Sequence, residues 1–298
     1  MNPSPHALPA RLSIAVAAVC LAVSAAHAQN PAPGQAPDQA PAPATLQLPP
    51  TTPQNPDNAW LAKAAALYYS SAKAGLTGFD CSIYPDWHTL FITANKGESV
   101  AEDDPRIALL KTVKITMHAR MKASSTLEWI LEPNPDKPLD EASNQLLDGM
   151  HQSVQQTLEG FLQFWGPFID GSVVPDSADG LEITHTPAAH TIHTTQSGTE
   201  LTEIFSSDLV LEHFNVDLNG TSIKFSPAYT STPQGLLVNK FEAHILPAGA
   251  PPEKTQVMKV GVEYQSLNGL TIPAHLHMEV VDTGTFNFAF DGCTTNPK

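Results

Sequence analysis

The chain has 298 residues, and 15 basic against 30 acidic side chains give it a formal net charge of −15 at pH 7. A field this acidic argues against nucleic acid and anionic membrane surfaces as partners. The length allows one domain with a sizeable core once its N-terminal segments are set aside.

Residues 1–28 have the order of a secretory signal peptide. Arg11 precedes the apolar run LSIAVAAVCLAVSA, and AHA ends at Ala28 as a small-residue cleavage site. The run is shorter than the roughly 20 apolar residues that a membrane helix needs. Lipid modification of Cys20 is an alternative, but Val19 stands where a small residue is expected. We therefore predict a soluble protein exported to the periplasm or the extracellular space, without stable membrane insertion.

Loss of the signal peptide leaves 14 basic and 30 acidic side chains, a net charge of −16. Residues 29–57 are rich in Pro, Ala and Gln and almost uncharged, so they cannot bury enough apolar surface to offset the entropy of ordering. We predict a disordered tether there and a single domain over residues 58–298. In an oxidising compartment, Cys81 and Cys293 are predicted to form a disulfide bond; two unpaired thiols are the alternative.

The domain opens with DNAWLAKAAALYYSSAKAGLTG, which predicts a helix capped by Asp57 or Asn58 and ended by Gly75. Apolar and polar side chains alternate in VKITMHARMKA, which contains Met117, and again in STLEWILE, which contains Trp129. That alternation is typical of half-buried strands and predicts a hairpin.

The segment PLDEASNQLLDGMHQSVQQTLEGFLQFWGPF changes period to threes and fours. Acids fill its first turn, and Gly166-Pro167 is expected to end it. We predict one long amphipathic helix whose apolar face must lie against a large apolar surface. The residues on that face are Leu139, Leu146, Met150, Val154, Leu158, Phe161 and Trp165.

Residues 181–292 predict seven or eight antiparallel strands with two Asn-Gly turns. A two-residue turn at Asn219-Gly220 pairs Val216 with Ile223 and Phe214 with Phe225. At Asn268-Gly269 a two-residue turn would set Val260 opposite His277, an apolar residue against a polar one. We predict instead a three-residue loop that pairs Val260 with Leu276, Val262 with Ala274 and Tyr264 with Ile272.

His275 and His277 then share a polar face with Glu263 and Glu279. Two histidines two residues apart can chelate zinc with either glutamate as a third ligand, which would suit a metal-dependent hydrolase. The same pattern is found on any solvent-facing side of a strand, so we expect no metal. His190 and His193 are predicted to point to opposite faces. Because no His-Glu-x-x-His, Gly-x-Ser-x-Gly, phosphate-loop or dinucleotide motif occurs, we predict a non-enzymatic protein without a cofactor.

The order of elements over residues 58–292 resembles the periplasmic lipoprotein-carrier (LolA-like) superfamily. The segment VGVEYQSLNGLTIPAHLHMEV is similar to that superfamily's closing hairpin, with its Gly turn and Ile-Pro. The resemblance implies an α+β fold in which a strongly curved antiparallel sheet, an incomplete β-barrel, is covered by an N-terminal helix and one long amphipathic helix. It also implies binding or transport of a lipid, an acylated polypeptide or another apolar small molecule.

The predicted ligand site is the cleft between the long helix and the sheet. The alternative is a structural or interaction module of the cell envelope whose core is filled by its own side chains. A binding cleft requires exposed apolar surface, whereas a filled core does not. The residues predicted to line the cleft are Met117, Trp129, Leu158, Phe161, Trp165, Val260, Val262, Tyr264, Ile272, Leu276 and Met278.

Overall fold

The computed structural model describes residues 55–94, 99–120, 125–131, 139–169, 173–196 and 199–297. The predicted signal peptide, nearly all of the predicted tether and the turn of the first predicted hairpin lie outside these residues. No helix in the described ranges combines the length and the apolarity needed to cross a membrane.

Twelve strands in the described part of the chain form one antiparallel sheet that is not closed. In spatial order the strands are β3, β2, β1, β12, β11, β10, β9, β8, β7, β6, β5 and β4, so the C-terminal strand lies between β11 and β1. The strands are β1 (Leu76–Pro85), β2 (Val113–Arg120), β3 (Thr126–Leu131), β4 (Glu182–His185), β5 (Ala189–Gln196), β6 (Thr199–Ser206), β7 (Leu211–Leu218), β8 (Thr221–Thr232), β9 (Gly235–Leu246), β10 (Gln256–Leu267), β11 (Leu270–Val280) and β12 (Gly284–Pro297).

The helices of the described residues are α1 (Pro56–Ala65), α2 (Ser71–Ala74), α3 (Trp87–Ala94), α4 (Pro105–Leu110) and α5 (Glu141–Ile169), with a 3₁₀ turn at Pro252–Lys254. The antiparallel sheet with helices agrees with the predicted α+β class. The C-terminal meander has nine strands, β4 to β12, where seven or eight were predicted.

The single helix predicted at the start of the domain is wrong, because the chain breaks between α1 and α2. Leu236 N donates to Leu67 O (2.7 Å) and Tyr69 N donates to Leu236 O (2.9 Å), so this backbone pairs with β9 instead of continuing the helix. Gly235 permits the close approach, since a Cβ there would lie 2.7 Å from Leu67 O. Gly75 ends α2 at φ 92°, as predicted.

Helix α5 confirms the predicted long helix but runs three residues beyond Gly166. Ile169 in its last turn is fully buried, and its carbonyl oxygen accepts a hydrogen bond from Ser71 Oγ (2.8 Å). Tertiary packing and this bond stabilise the last turn, although Pro167 disfavours helix continuation.

The register predicted for Asn219-Gly220 is confirmed, because Val216 pairs with Ile223 and Phe214 with Phe225. The register predicted for Asn268-Gly269 is wrong. Leu267 pairs with Leu270 across a two-residue turn, and a register shift between Glu263 and Tyr264 leaves Ala274 unpaired as a bulge next to Pro273. Beyond the bulge, Val260 pairs with Met278 and Val262 with Leu276, so apolar side chains still face each other.

The Cys81–Cys293 disulfide is present and joins β1 to β12. Cys81 is 1% exposed and belongs to the main core cluster, while Cys293 packs against that cluster. The predicted pairing of the two cysteines is confirmed.

Candidate functional site

The residues predicted to line an apolar cleft lie in the core between α5 and the sheet. Nine of them are at most 5% exposed: Met117, Leu158, Phe161, Trp165, Val260, Val262, Ile272, Leu276 and Met278. Trp129 and Tyr264 are partly buried against the same cluster. A side chain on the wall of an open cleft keeps accessible area, so these values describe a site filled by its own residues.

Specific contacts fix α5 on the inner face of the sheet. The Phe161 ring stacks on Trp165, with centroids 5.7 Å apart, and its centroid lies 6.4 Å from that of Phe290 in β12. Trp165 Nε1 donates to Tyr264 Oη (2.9 Å), and Tyr264 Oη donates to Val238 O. The tryptophan is therefore both packed and hydrogen-bonded, which holds one rotamer.

A groove of about 660 Å³ lies on the opposite, outer face of the sheet. It crosses β9, β10, β11, β12 and the end of β1. Small-molecule sites have volumes of roughly 300 to 1,000 Å³ and contain a few convergent polar groups. The polar side chains that line it are Asp86, Asn239, Lys240, Glu263, His275, His277 and Asn287, and Tyr84 lines it as well.

Two cross-strand rows build the groove. In the first, Gly261 on β10 pairs with Lys240 on β9 and with His277 on β11. A Cβ on Gly261 would meet nothing within 4 Å, so this position is open space.

In the second row, Ala289 on β12 pairs with Tyr84 on β1 and with His275 on β11. Each row thus has a short residue, Gly261 or Ala289, between two long side chains.

Both histidines of the groove have a polar neighbour at Nδ1. His275 Nδ1 lies 3.1 Å from Glu263 Oε2, and His277 Nδ1 donates a hydrogen bond to Asn287 Oδ1 (2.6 Å). The predicted polar face of these strands is confirmed. Because Nδ1 of each ring is engaged within the protein, Nε2 is the ring nitrogen that remains to meet a ligand.

Asp86 anchors the groove at the end of β1. Its carboxylate accepts hydrogen bonds from Thr89 N (3.1 Å) and Thr89 Oγ1 (2.6 Å), and it lies 3.5 Å from Asn287 Nδ2. Burial alone would raise the pKa of Asp86, but these hydrogen bonds together lower it below its ordinary value. Asp86 therefore stays ionised and holds Asn287 in place.

Among the described residues, no group of three or more His, Cys, Asp or Glu side chains is placed to hold a metal ion. His275 and His277 therefore have no third ligand of this kind within that part of the chain. The hydrolase interpretation that rests on a metal gains no support from this geometry.

His190 and His193 point to different surroundings, in agreement with the prediction that they lie on opposite faces of their strand. His193 Nδ1 lies 3.1 Å from Thr202 Oγ1. His190 pairs instead with His185, with their Nδ1 atoms 2.7 Å apart, and the centroid of its ring lies 5.1 Å from that of Trp60. His185 Nε2 also lies 3.1 Å from Asp57 Oδ1, so this cluster ties α1 to the β4–β5 hairpin.

Sequence reasoning missed Glu203, a carboxyl group inside the protein. It is 4% exposed, and burial raises its pKa to about 8. Burial also raises the pKa of Tyr68 to about 12 and raises that of Tyr229, and the Glu203 charge adds to both shifts. The alternation in TELTEIFS could have predicted this burial, because it places Glu203 on the same side of β6 as the buried Leu201 and Phe205.

Glu203 predicts a pH-dependent stability. At low pH the Glu203 carboxyl is protonated in the folded and in the unfolded protein. Above its ordinary pKa of 4.5 the unfolded protein loses this proton, whereas the folded protein keeps it until about pH 8. The unfolded state therefore binds fewer protons in that window, and the free energy of unfolding falls by about 1.4 kcal/mol per pH unit from this group. Stability is largest below the window and lowest above it.

We expect Glu203→Gln to remove this slope. Because a buried amide also costs free energy, we expect the variant to exceed the wild type by about 2 to 3 kcal/mol at pH 8 and to match or fall below it at pH 4.5. Urea unfolding across this pH range measures the difference. An equal change at both pH values would show that Glu203 does not titrate in this window.

Comparisons of the chain with family models, with curated proteins and with solved structures gave no match. The resemblance to lipoprotein carriers stays a prediction.

Proposed function

We propose that this chain is an exported, non-enzymatic binding protein that takes its ligand in the groove on the outer face of the sheet. The observation that carries the proposal is the groove itself, about 660 Å³ in volume, with polar groups from four neighbouring strands and the end of β1 converging on it. The disulfide supports export, because such bonds persist in oxidising compartments.

The interior serves as the scaffold in this proposal. We propose that the open sheet curls around α5 as an incomplete β-barrel, since twelve twisted strands rarely stay flat. The groove residues lie on hydrogen-bonded strands, and the interior beneath them is filled by large side chains. A site on such elements is preorganised, which lowers the entropy lost when a ligand binds.

The carrier function inferred from the resemblance stays a prediction. It requires an apolar ligand to enter between α5 and the sheet, where the predicted lining residues are already buried. Displacing α5 would expose several large apolar side chains, each worth about 1.5 to 3 kcal/mol when fully buried. The outer groove needs no such opening.

The proposal is tested by titrating the isotope-labelled protein with four sets of polar compounds and following its amide resonances. The sets are neutral disaccharides, amino acids, short peptides and inorganic phosphate. We expect at least one set to shift the amides of Gly261, His277 and Ala289 in a saturable way while amides in β6 stay unchanged. If no set shifts the groove amides, the proposed function is wrong.

A further inference from the structure

We infer that the ligand of the outer groove is a neutral oligosaccharide, bound as two sugar units above Gly261 and Ala289. The inference rests on the proposed function and names the class of ligand that the groove takes.

The spacing of the rows supports two subsites. Strands in a sheet lie about 4.8 Å apart, so the long side chains that flank each short residue stand about 10 Å apart at their Cα atoms. One gap lies above Ala289, between Tyr84 and His275. The other lies above Gly261, between His277 and Lys240. The two gaps lie on either side of β11, so a linked pair of rings would cross that strand.

Tyr84 supplies the apolar surface that sugar recognition requires. Its side chain is 59% exposed, and the other large exposed hydrophobic residue among those described is Ile130, at 45%. A sugar ring has a face of C–H groups that packs on an aromatic ring, and the electron-rich face of the ring favours such contact. A tyrosine ring exposed beside a polar gap suits a ligand with both apolar faces and hydroxyl edges.

The charges of the groove favour a neutral ligand. Among the described residues that line the groove, Lys240 is the one permanent cation, and Asp86 and Glu263 oppose it with two carboxylates. An anion such as phosphate is bound best by several cations or by aligned N–H groups. Hydroxyl groups both donate and accept, so they suit a surface that mixes carboxylates, amides, imidazoles and an ammonium group.

Gly261→Thr gives the sharpest test, because a side chain there enters open space. The Cβ meets nothing within 4 Å, and threonine is favoured in strands, so the fold is expected to keep or gain stability. The side chain would nevertheless fill the second gap. The matched control is Ser222→Thr, a change at an exposed position of β8 outside the groove.

Tyr84→Ala removes the stacking surface, and Tyr84→Phe keeps the ring while deleting the hydroxyl. Ile130→Ala is the control, because it removes an exposed apolar side chain that does not line the groove. The thermal unfolding temperature of each variant is compared with that of the wild type. It should be unchanged in all of them except Gly261→Thr, in which it should be unchanged or higher.

The binding constants are measured by calorimetry with cellobiose, maltose, xylobiose and N,N′-diacetylchitobiose. We expect at least one disaccharide to bind, with a loss of about tenfold or more in Gly261→Thr and Tyr84→Ala and less than about threefold in Tyr84→Phe and both controls, where tenfold equals 1.4 kcal/mol. Disaccharide binding that survives Gly261→Thr unchanged would overturn the inference.

Failure of the ligand class is distinguishable from failure of the proposed function. If phosphate, amino acids or peptides shift the groove amides and no disaccharide does, the saccharide inference is wrong and the groove remains a binding site. If none of the four sets shifts those amides, both are wrong.

Discussion

Phe161→Asp is expected to abolish most of the free energy of unfolding. Phe161 is 0% exposed and packs between Trp165 and Phe290. Losing a buried phenylalanine side chain costs about 3 to 5 kcal/mol, and leaving a carboxyl group buried without a partner adds several kcal/mol. Whole domains have only about 5 to 15 kcal/mol of stability, so we expect the variant to be largely unfolded or to have lost the packing of α5.

Two controls separate this effect from general damage to the helix. Phe161→Leu keeps an apolar side chain and should cost about 1 to 2 kcal/mol. Gln152→Asp puts the same acidic residue at an exposed position of α5 and should change stability by less than about 0.5 kcal/mol. Urea unfolding followed by circular dichroism gives all three values. If Phe161→Asp cost no more than Gln152→Asp, α5 would not be packed against the sheet.

An apolar fluorescent probe tests the carrier interpretation on the same proteins. With a filled interior, lipid-stripped wild-type protein should show no saturable probe binding between α5 and the sheet. Saturable probe binding by the lipid-stripped wild type, unchanged in Gln152→Asp, would instead restore the apolar-ligand carrier. Loss of binding in the largely unfolded Phe161→Asp would not by itself distinguish the two interpretations.

Local chemistry made part of the fold predictable. Asn219-Gly220 sets a hairpin whose register follows from the two residues alone, and the apolar period of α5 identifies one buried face. At Asn268-Gly269 the turn also has two residues, and the predicted three-residue loop is wrong because a bulge next to Pro273, not a longer turn, corrects the side-chain phase in the middle of β11. A proline cannot donate a backbone hydrogen bond, which makes a bulge there less costly, but the sequence does not show how the chain will absorb it.

The groove was harder to predict because it is built from distant parts of the chain. Tyr84, Lys240, Gly261, His277 and Ala289 come from five strands, and only the strand order places them together. From the sequence, His275 and His277 were identified as one polar face, but nothing local indicated that Gly261 opens space beside them. The break between α1 and α2 has the same origin, since it depends on a backbone contact with Leu236 that is remote in sequence.

Removing the Cys81–Cys293 disulfide is expected to have the next largest effect. The bond spans 212 residues, and closing a loop of that length stabilises the native state by on the order of 5 kcal/mol when the entropy of the unfolded chain is considered. It also joins β1 to β12, the pairing through which β1, β2 and β3 connect to the C-terminal strands of the sheet.

The test compares the wild type with the double variant Cys81→Ala, Cys293→Ala. Alanine is used instead of serine because a serine at the buried position of Cys81 would place a hydroxyl group in the core. Thiol titration of the native, unreduced mature protein should find neither cysteine free. Urea unfolding should show the double variant and the reduced wild type losing similar stability, because both lack the same restraint. If the unreduced wild type exposed two free thiols on unfolding, or if the double variant were as stable as the wild type, the disulfide would not be stabilising this sheet.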